Sequence, residues 1–447
     1  MSTVIGVINK SKVRRKSFSI IDIMFAWSGF FCSCGGVFAL NIGNNTLALS
    51  NIGYIGIILF GFIHCHGKLH ISKTRIVGYL FAVEMLFSSI ICYITRGDLY
   101  ASQALAVTIK MVVIVVGMTI FFNNDELRDY YKVFLKFLYY NAIAQMIWSW
   151  MEFALYYGIH FSLNDYVYGQ VLGVSTAHTL TFVQNGLLRT SGFSWEPANL
   201  SLVLMIGFLL ANRPIMKWLF ALSIFLSTSM TGIFIFCFYL AVKLLLSIRN
   251  ARISRKKIFS SILVIVIVTI IFIVLLRSQS ERSQVVFNRI AGILGISSTR
   301  DSSSHMHMGY YYWGPELLFN SPLFNIFFGV GPFMVGRRFS EYFGIYHWLT
   351  GLWNPESDVV TIFVGSGIIG TLLYYLLAFK LLRNRKKIND TINFYILLSI
   401  IAGGITYLYI RSTWTLLIIF LMTCNPKDCD HFQKKEFKNI NGRYYSR

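Results

Sequence analysis

The stretch RTSGFSWEPANLS, residues 189–201, sets an arginine, a glycine, a tryptophan and a Glu-Pro pair close together at the head of an apolar run. Proline suits the first position of a helix, and a carboxylate just ahead of it meets the positive end of the helix dipole. Glu196-Pro197 therefore reads first as a helix start. The same pattern suits chemistry on phosphate. Arg189 and the amides of a helix N-terminus together make a seat for a phosphate group, and Glu196 stands near enough in the chain to act on a hydroxyl. Gly192 would let the backbone approach a ligand closely, and Trp195 offers a face on which a sugar can stack.

These residues sit in a chain built for a bilayer. Of 447 residues 55% are hydrophobic and only 13% charged, about half the charged share of a soluble domain. Mean hydropathy is +0.59. Apolar runs long enough for a hydrocarbon core of about 30 Å recur along the sequence. We place about twelve, near residues 18–40, 46–64, 76–95, 104–122, 133–157, 197–211, 214–229, 231–248, 258–276, 358–382, 392–410 and 412–424. The first is too long for the apolar core of a cleaved signal and lacks a small-residue cleavage site, so it is expected to remain as a helix.

The formal charge of +21 would suggest nucleic acid in a soluble protein. Its distribution argues against that partner. KSKVRRK, GKLHISKTR, RNARISRKK, RNRKK and the tail KKEFKNINGRYYSR all fall on one side if the helices alternate, which places both termini in the cytoplasm. The seven cysteines lie in expected helices or on that same side, so no structural disulfide is expected. With this topology two connections are long, 158–196 and 277–357, and both are external. The chain thus divides into helices 1–5 (1–157), an external loop carrying Arg189 and Glu196 (158–196), helices 6–9 (197–276), a large external loop between helices 9 and 10 (277–357), helices 10–12 (358–424) and a basic cytoplasmic tail (425–447). Long loops in a compact design are usually functional. The aromatic density of the second suggests packing on the membrane surface.

The order of these features resembles a known family. An Arg-x-x-Gly-x-x-x-Glu-Pro stretch entering a mid-chain helix is followed by SSTRDSSSHMHMGYYYW, SPLFNIFFGVGPF and NPESDVVTIFVGSGIIG. That succession over residues 130–382 is similar to the Wzy-type O-antigen polymerases of the O-antigen polymerase and ligase superfamily. The resemblance implies an all-α polytopic, GT-C-like glycosyltransferase. Such an enzyme moves a growing polysaccharide from one undecaprenyl diphosphate onto the next lipid-linked repeat unit. It works at the periplasmic face of the bacterial inner membrane, without a cofactor, and the resemblance implies a chain-length-regulating co-polymerase as partner. Where ligases commonly carry a His-Asn pair, this chain has Asn354-Pro355-Glu356-Ser357-Asp358, which favours polymerase over ligase.

That chemistry needs cations for a diphosphate leaving group and a base for an acceptor hydroxyl. On the resemblance, Arg189, Arg300, Arg337, Arg338 and Lys110 are the candidate diphosphate contacts. The other external arginines, Arg277, Arg282 and Arg289, are read as solvated or structural. Glu196, His305 and Glu356 compete as base, with Glu196 first and His307 beside His305. Gly192, Trp195 and Asn354 are candidate sugar or backbone contacts. No metal is expected, Glu356-Ser-Asp358 being the only external acidic grouping suited to a cation. Glu84 and Lys110 lie deep in adjacent helices, where they are expected to pair with one another unless Lys110 reaches up to a lipid diphosphate. Gly365, Gly367 and Gly370 read as helix-packing positions. The alternatives are a ligase joining polymer to lipid A-core, and a lipid-linked oligosaccharide flippase, which would not require so long an external loop.

Overall fold

The computed structural model describes residues 19–34, 37–42, 45–173, 182–184, 187–194, 196–249, 302–344, 353–386 and 391–424. The chain is mostly helical. We number its helices α1 (Ile20–Phe31), α2 (Leu49–His64), α3 (Lys73–Arg96), α4 (Leu99–Ile120), α5 (Asn124–Ile159), α6 (Pro197–Leu210), α7 (Pro214–Leu226) and α8 (Met230–Arg249). After the residues around 258–300, which lie outside the described set, come α9 (Ser302–Phe319), α10 (Leu323–Phe328), α11 (Val335–Phe343), α12 (Asp358–Gly365), α13 (Gly367–Lys386), α14 (Thr391–Thr406) and α15 (Thr413–Leu421). Among the described helices three are long and apolar enough to cross a bilayer: α3, α4 and Met230–Ser247 of α8. Five shorter apolar helices accompany them, as befits a membrane-associated protein.

Local signals set the helix ends. Ser19 and Asp22 form a reciprocal capping box at α1, Asn123 and Glu126 another at α5, and Asp98 caps α4 through a 2.7 Å bond from the Ala101 amide. Pro197 and Pro214 each begin a helix, where a missing amide proton costs nothing. Helix α6 holds the centre. Every one of its residues except Phe208 is buried, packed by α5, α7, α8 and α14, the pattern of a helix apolar on all sides.

Three departures from the sequence reading have physical causes. The chain is not purely helical: β1 (Ala39–Ile42) pairs antiparallel with β2 (Asn45–Ala48), and β3 (Phe182–Gln184) with β4 (Leu187–Arg189). Between β3 and β4 stand Asn185 and Gly186, the dipeptide that two-residue hairpins prefer. Second, the helix expected over 358–382 is broken at Gly365–Gly367 into α12 and α13. The turn of SPLFNIFFGVGPF lies against the break, with the Val330 amide donating to the Val364 carbonyl and the Gly331 amide to Gly365, both at 3.0 Å. Gly329 and Gly367 have positive φ, and a Cβ at Gly329 would run into the Gly365 carbonyl.

Third, Glu84 and Lys110 form no ion pair. Lys110 is exposed on α4, whereas Glu84 is buried in α3 and turned toward α13, its carboxylate occupying the space a Gly370 side chain would fill. It lies beside Ser366 with neither oxygen reaching hydrogen-bond geometry, at the positive end of the helix that the break creates.

Candidate functional site

The 158–196 connection is built on α5. Along the buried face of that helix Asn141, Gln145, Ser149 and Glu152 recur at helical spacing. Gln145 donates to Ser33 Oγ at 2.8 Å and to Asn141 Oδ1 at 2.6 Å, and accepts from Ser194 Oγ at 2.9 Å. Asn164, buried ahead of the π-helical segment Asp165–Val171, accepts from Trp148 Nε1 at 2.8 Å. It donates to Glu152 Oε1 at 3.0 Å and to Ser191 Oγ at 3.4 Å. The Glu152 carboxylate lies toward the amides of Ser191 and Gly192, with Oε2 short of full hydrogen-bond geometry. Tyr168 donates to the Gly192 carbonyl at 2.8 Å, and its ring stacks on Trp148.

This network turns Gly192 inward. The residue is buried with φ +59, and a Cβ there would stand 3.0 Å from Gln145 Oε1. The sequence reading, in which Gly192 lets backbone approach a ligand, is corrected: the close approach is to α5. Arg189 ends β4, half-buried, its strand fastened by the bond from the Leu188 amide to the Tyr157 hydroxyl at 3.0 Å. Trp195 lies outside the described residues.

The turn delivers Glu196 to the head of the most buried helix. Its side chain does not cap α6. Instead its carboxylate lies near the Tyr407 phenol, as does that of Glu356. Asn199 Nδ2, in the first turn of α6, donates to the Tyr407 hydroxyl, at 3.0 Å. Tyr409 donates to the Ala198 carbonyl at 2.9 Å, and the Ile410 amide donates to Asp358 Oδ1 at 2.7 Å. Three segments distant in sequence, 196–199, 356–358 and 407–412, thus converge, bringing together two of the three candidate bases, Glu196 and Glu356. Glu356 is exposed and Asp358 is buried.

Asn354 stands two residues before Glu356. It is 7% exposed, and neither Nδ2 nor Oδ1 meets a hydrogen-bond partner among the described residues. An unpaired buried amide is destabilising by about 1–3 kcal/mol, which a ligand hydroxyl would offset. Arg411, absent from the sequence candidates, lies on the 407–412 turn just ahead of α15; it is exposed and makes no hydrogen bond or ion pair among the described residues.

The large connection places its candidates elsewhere. Arg300, like Arg277, Arg282 and Arg289, lies outside the described residues; His305 and His307 fall in α9, but their side chains are outside the described set. Arg337 and Arg338 are engaged by Glu341 at 3.4 and 3.1 Å, and the Arg337 guanidinium sits 4.6 Å over the Tyr100 ring. Glu341 also takes a 2.7 Å ion pair from Arg96, which holds Asp98 at 2.6 Å. Burial alone would raise the Glu341 carboxyl, but the hydrogen bond from Arg96 and the charges of Arg96 and Arg338 hold it below its usual range. These arginines therefore fasten α11 to the junction of α3 and α4. Lys110 is exposed on α4 and makes no hydrogen bond or ion pair among the described residues.

Sequence reasoning missed the α5 stripe, Tyr407, Asn199 and Arg411. The stripe was visible as NAIAQMIWSWME, where polar residues interrupt an apolar helix every three or four positions. The other three carry no such signal, because their role exists only where separate helix ends meet. No protein-family model matches the chain, and no curated protein matches it.

Proposed function

We propose that this protein is a polysaccharide polymerase of the Wzy type, with about twelve membrane-spanning helices in a GT-C-like arrangement. In this reading it lies in the bacterial inner membrane with both termini cytoplasmic. Its substrates are two undecaprenyl-diphosphate-linked glycans, and a chain-length regulator is an expected partner. The observation that carries the reading is the convergence at the head of α6. There a carboxylate lies beside a phenol, a second carboxylate stands near, a buried amide lacks partners among the described residues and an exposed guanidinium is presented on the adjoining turn.

Each group has a task in glycosyl transfer. Glu196 takes the proton from the acceptor hydroxyl as its oxygen attacks the anomeric carbon of the donor polymer. The bond from that carbon to the lipid diphosphate breaks, and Arg189 with Arg411 stabilises the charge that collects on the departing diphosphate. Asn354 has the donor and acceptor atoms that a sugar hydroxyl needs. The products are a glycosidic bond and a free undecaprenyl diphosphate.

The test is a gel of surface glycolipids from the source bacterium with the gene deleted and then restored. Lipid A-core capped with a single repeat unit is the expected outcome. Bare core with long polymer left on the carrier would mean a ligase, and bare core with single lipid-linked repeats trapped inside would mean a flippase. In the restored strain Glu196→Ala and Arg189→Ala should abolish polymer at an unchanged protein level in the membrane, since removing a general base lowers rate by about 100- to 10,000-fold. Wild-type polymer from both variants would overturn the assignment.

A further inference from the structure

Phe208 is the one residue of α6 that is not buried, and it lies about 18 Å along the helix from Glu196, at the end of the bundle expected in the cytoplasm. Its ring meets that of Tyr239 on α8 edge-on, with centroids 5.6 Å apart. Each ring carries an ammonium. Lys217 Nζ, from α7, stands 5.9 Å from the Phe208 centroid, and Lys243 Nζ, from α8, stands 5.4 Å from that of Tyr239. Arg213 lies one turn before Lys217 on the same face of α7, its carbonyl accepting from the Lys217 amide at 3.2 Å.

An aromatic face gives an ammonium a seat but no counter-charge. None of the three cations makes an ion pair or a side-chain hydrogen bond among the described residues. On α5, by contrast, Arg128 is paired with Asp125 at 3.2 Å and Lys132 with Asp129 at 3.0 Å. Lys243 is also near enough for its charge to bear on Lys217. Like charges so gathered repel one another, and an anion set among them would turn the repulsion into attraction.

The apolar surroundings say what kind of anion fits. Ile215 and Trp218 on α7 and Leu245 on α8 flank the cations and are 62%, 73% and 64% exposed. A free phosphate has no use for such side chains. A lipid lays its acyl chains on them while its phosphate meets the ammoniums, and tryptophan with lysine is the pairing found at headgroup level.

We propose that Arg213, Lys217 and Lys243 form a binding site for the headgroup of an anionic phospholipid, between the ends of α7 and α8. Its phosphate oxygens accept from the two ammoniums and the guanidinium. The site is remote from the head of α6 and does not depend on the role given to Glu196.

The experiment places the purified full-length protein in phosphatidylcholine vesicles. Part of the lipid is replaced by brominated phosphatidylglycerol or, separately, by brominated phosphatidylcholine, since bromine quenches indole fluorescence on contact. The Trp218 signal is the emission that Trp218→Phe removes from that of the nine tryptophans. Half-quenching is expected at a roughly 10- to 100-fold smaller mole fraction of phosphatidylglycerol, as each cation near the surface is worth about fivefold in attraction for an anionic lipid. The double variant Lys217→Gln/Lys243→Gln should cut that preference by about 25-fold, and Lys217→Arg/Lys243→Arg should keep it. Equal quenching by the two lipids overturns the inference, as does a preference that survives in the glutamine variant. Loss of the preference on adding inorganic phosphate at constant ionic strength would assign these cations to a free phosphate and overturn a lipid site. If the glutamine variant fails to insert, Lys243→Gln alone, at an exposed position, makes the same comparison with about a fivefold loss expected and an unchanged preference overturning the inference.

Discussion

The 158–196 connection is fastened by polar atoms, the described part of the 277–357 connection by apolar packing with an ion-pair latch at its rim. In the first, Gln145, Asn164 and Glu152 reach from a buried helix face and a π-helical segment into the Ser191–Ser194 turn. In the second, Tyr310, Leu317, Val330, Val335 and Phe339 make a small core with Val360 and Val364 of α12, separate from the main one. Tyr311 adds a polar strut, lying 2.9 Å from Ser357 Oγ and donating to the Ile405 carbonyl. The difference follows from what hydrogen bonds and apolar contacts each specify. Apolar packing is non-directional and suits a cap that must cover an area, whereas buried hydrogen bonds fix angles and leave little freedom to a turn that must aim a carboxylate. The aromatic density that suggested a membrane-surface loop thus serves, over α9, to seal the cap on α12.

Breaking the polar fastening should have the largest effect. Gln145→Leu fills the same space but leaves Ser194 Oγ without its acceptor and takes one bond each from Ser33 and Asn141, and an unsatisfied buried polar group is destabilising by about 1–3 kcal/mol. We expect a loss of roughly 3 kcal/mol, read as a lower Tm of the detergent-solubilised protein, together with lost polymer. An unchanged Tm would mean that the network does not hold the turn.

Next is Gly329→Ala, which sets a Cβ into the Gly365 carbonyl at a residue with φ +80. Strain of this kind is about 1–3 kcal/mol, and faster proteolysis within 302–344 should precede any loss of the helical core. If cleavage rates do not change, the cap is not seated on the helix break.

The latch should matter least. Glu341→Gln weakens pairs with Arg96, Arg337 and Arg338 that are partly open to water, an effect of about 1 kcal/mol that high salt would abolish. Its pH dependence has a definite sign. Glu341 and Asp98 have carboxyls held below their ordinary values: burial opposes this in both, and is outweighed by Arg96 with Arg338 at Glu341 and by the Ala101 amide with Arg96 at Asp98. The stability they contribute is complete above the unfolded carboxylate range near pH 4, and is lost as pH falls through the lower folded values. Protease resistance of the 302–344 segment should therefore hold at pH 5 and fail only in stronger acid, earlier at 1 M salt than at 0.1 M.

Much of this arrangement was present in the chain as written. Composition and apolar runs made a membrane-associated helical protein, Glu196-Pro197 marked the start of α6, and the two long connections were visible as gaps between apolar segments. Those features are local: capping, proline at a first helical position and hydropathy depend on neighbours in the sequence, so they can be read from it. Tertiary structure alone decided that Gly192 faces α5, that Glu84 turns from Lys110 toward Gly370, and that Arg337 and Arg338 belong to a latch. It also decided that Tyr407 meets Asn199 at the head of α6. These depend on which helix ends come to lie side by side, and one helix end shows no mark of the partner it will meet some 200 residues later.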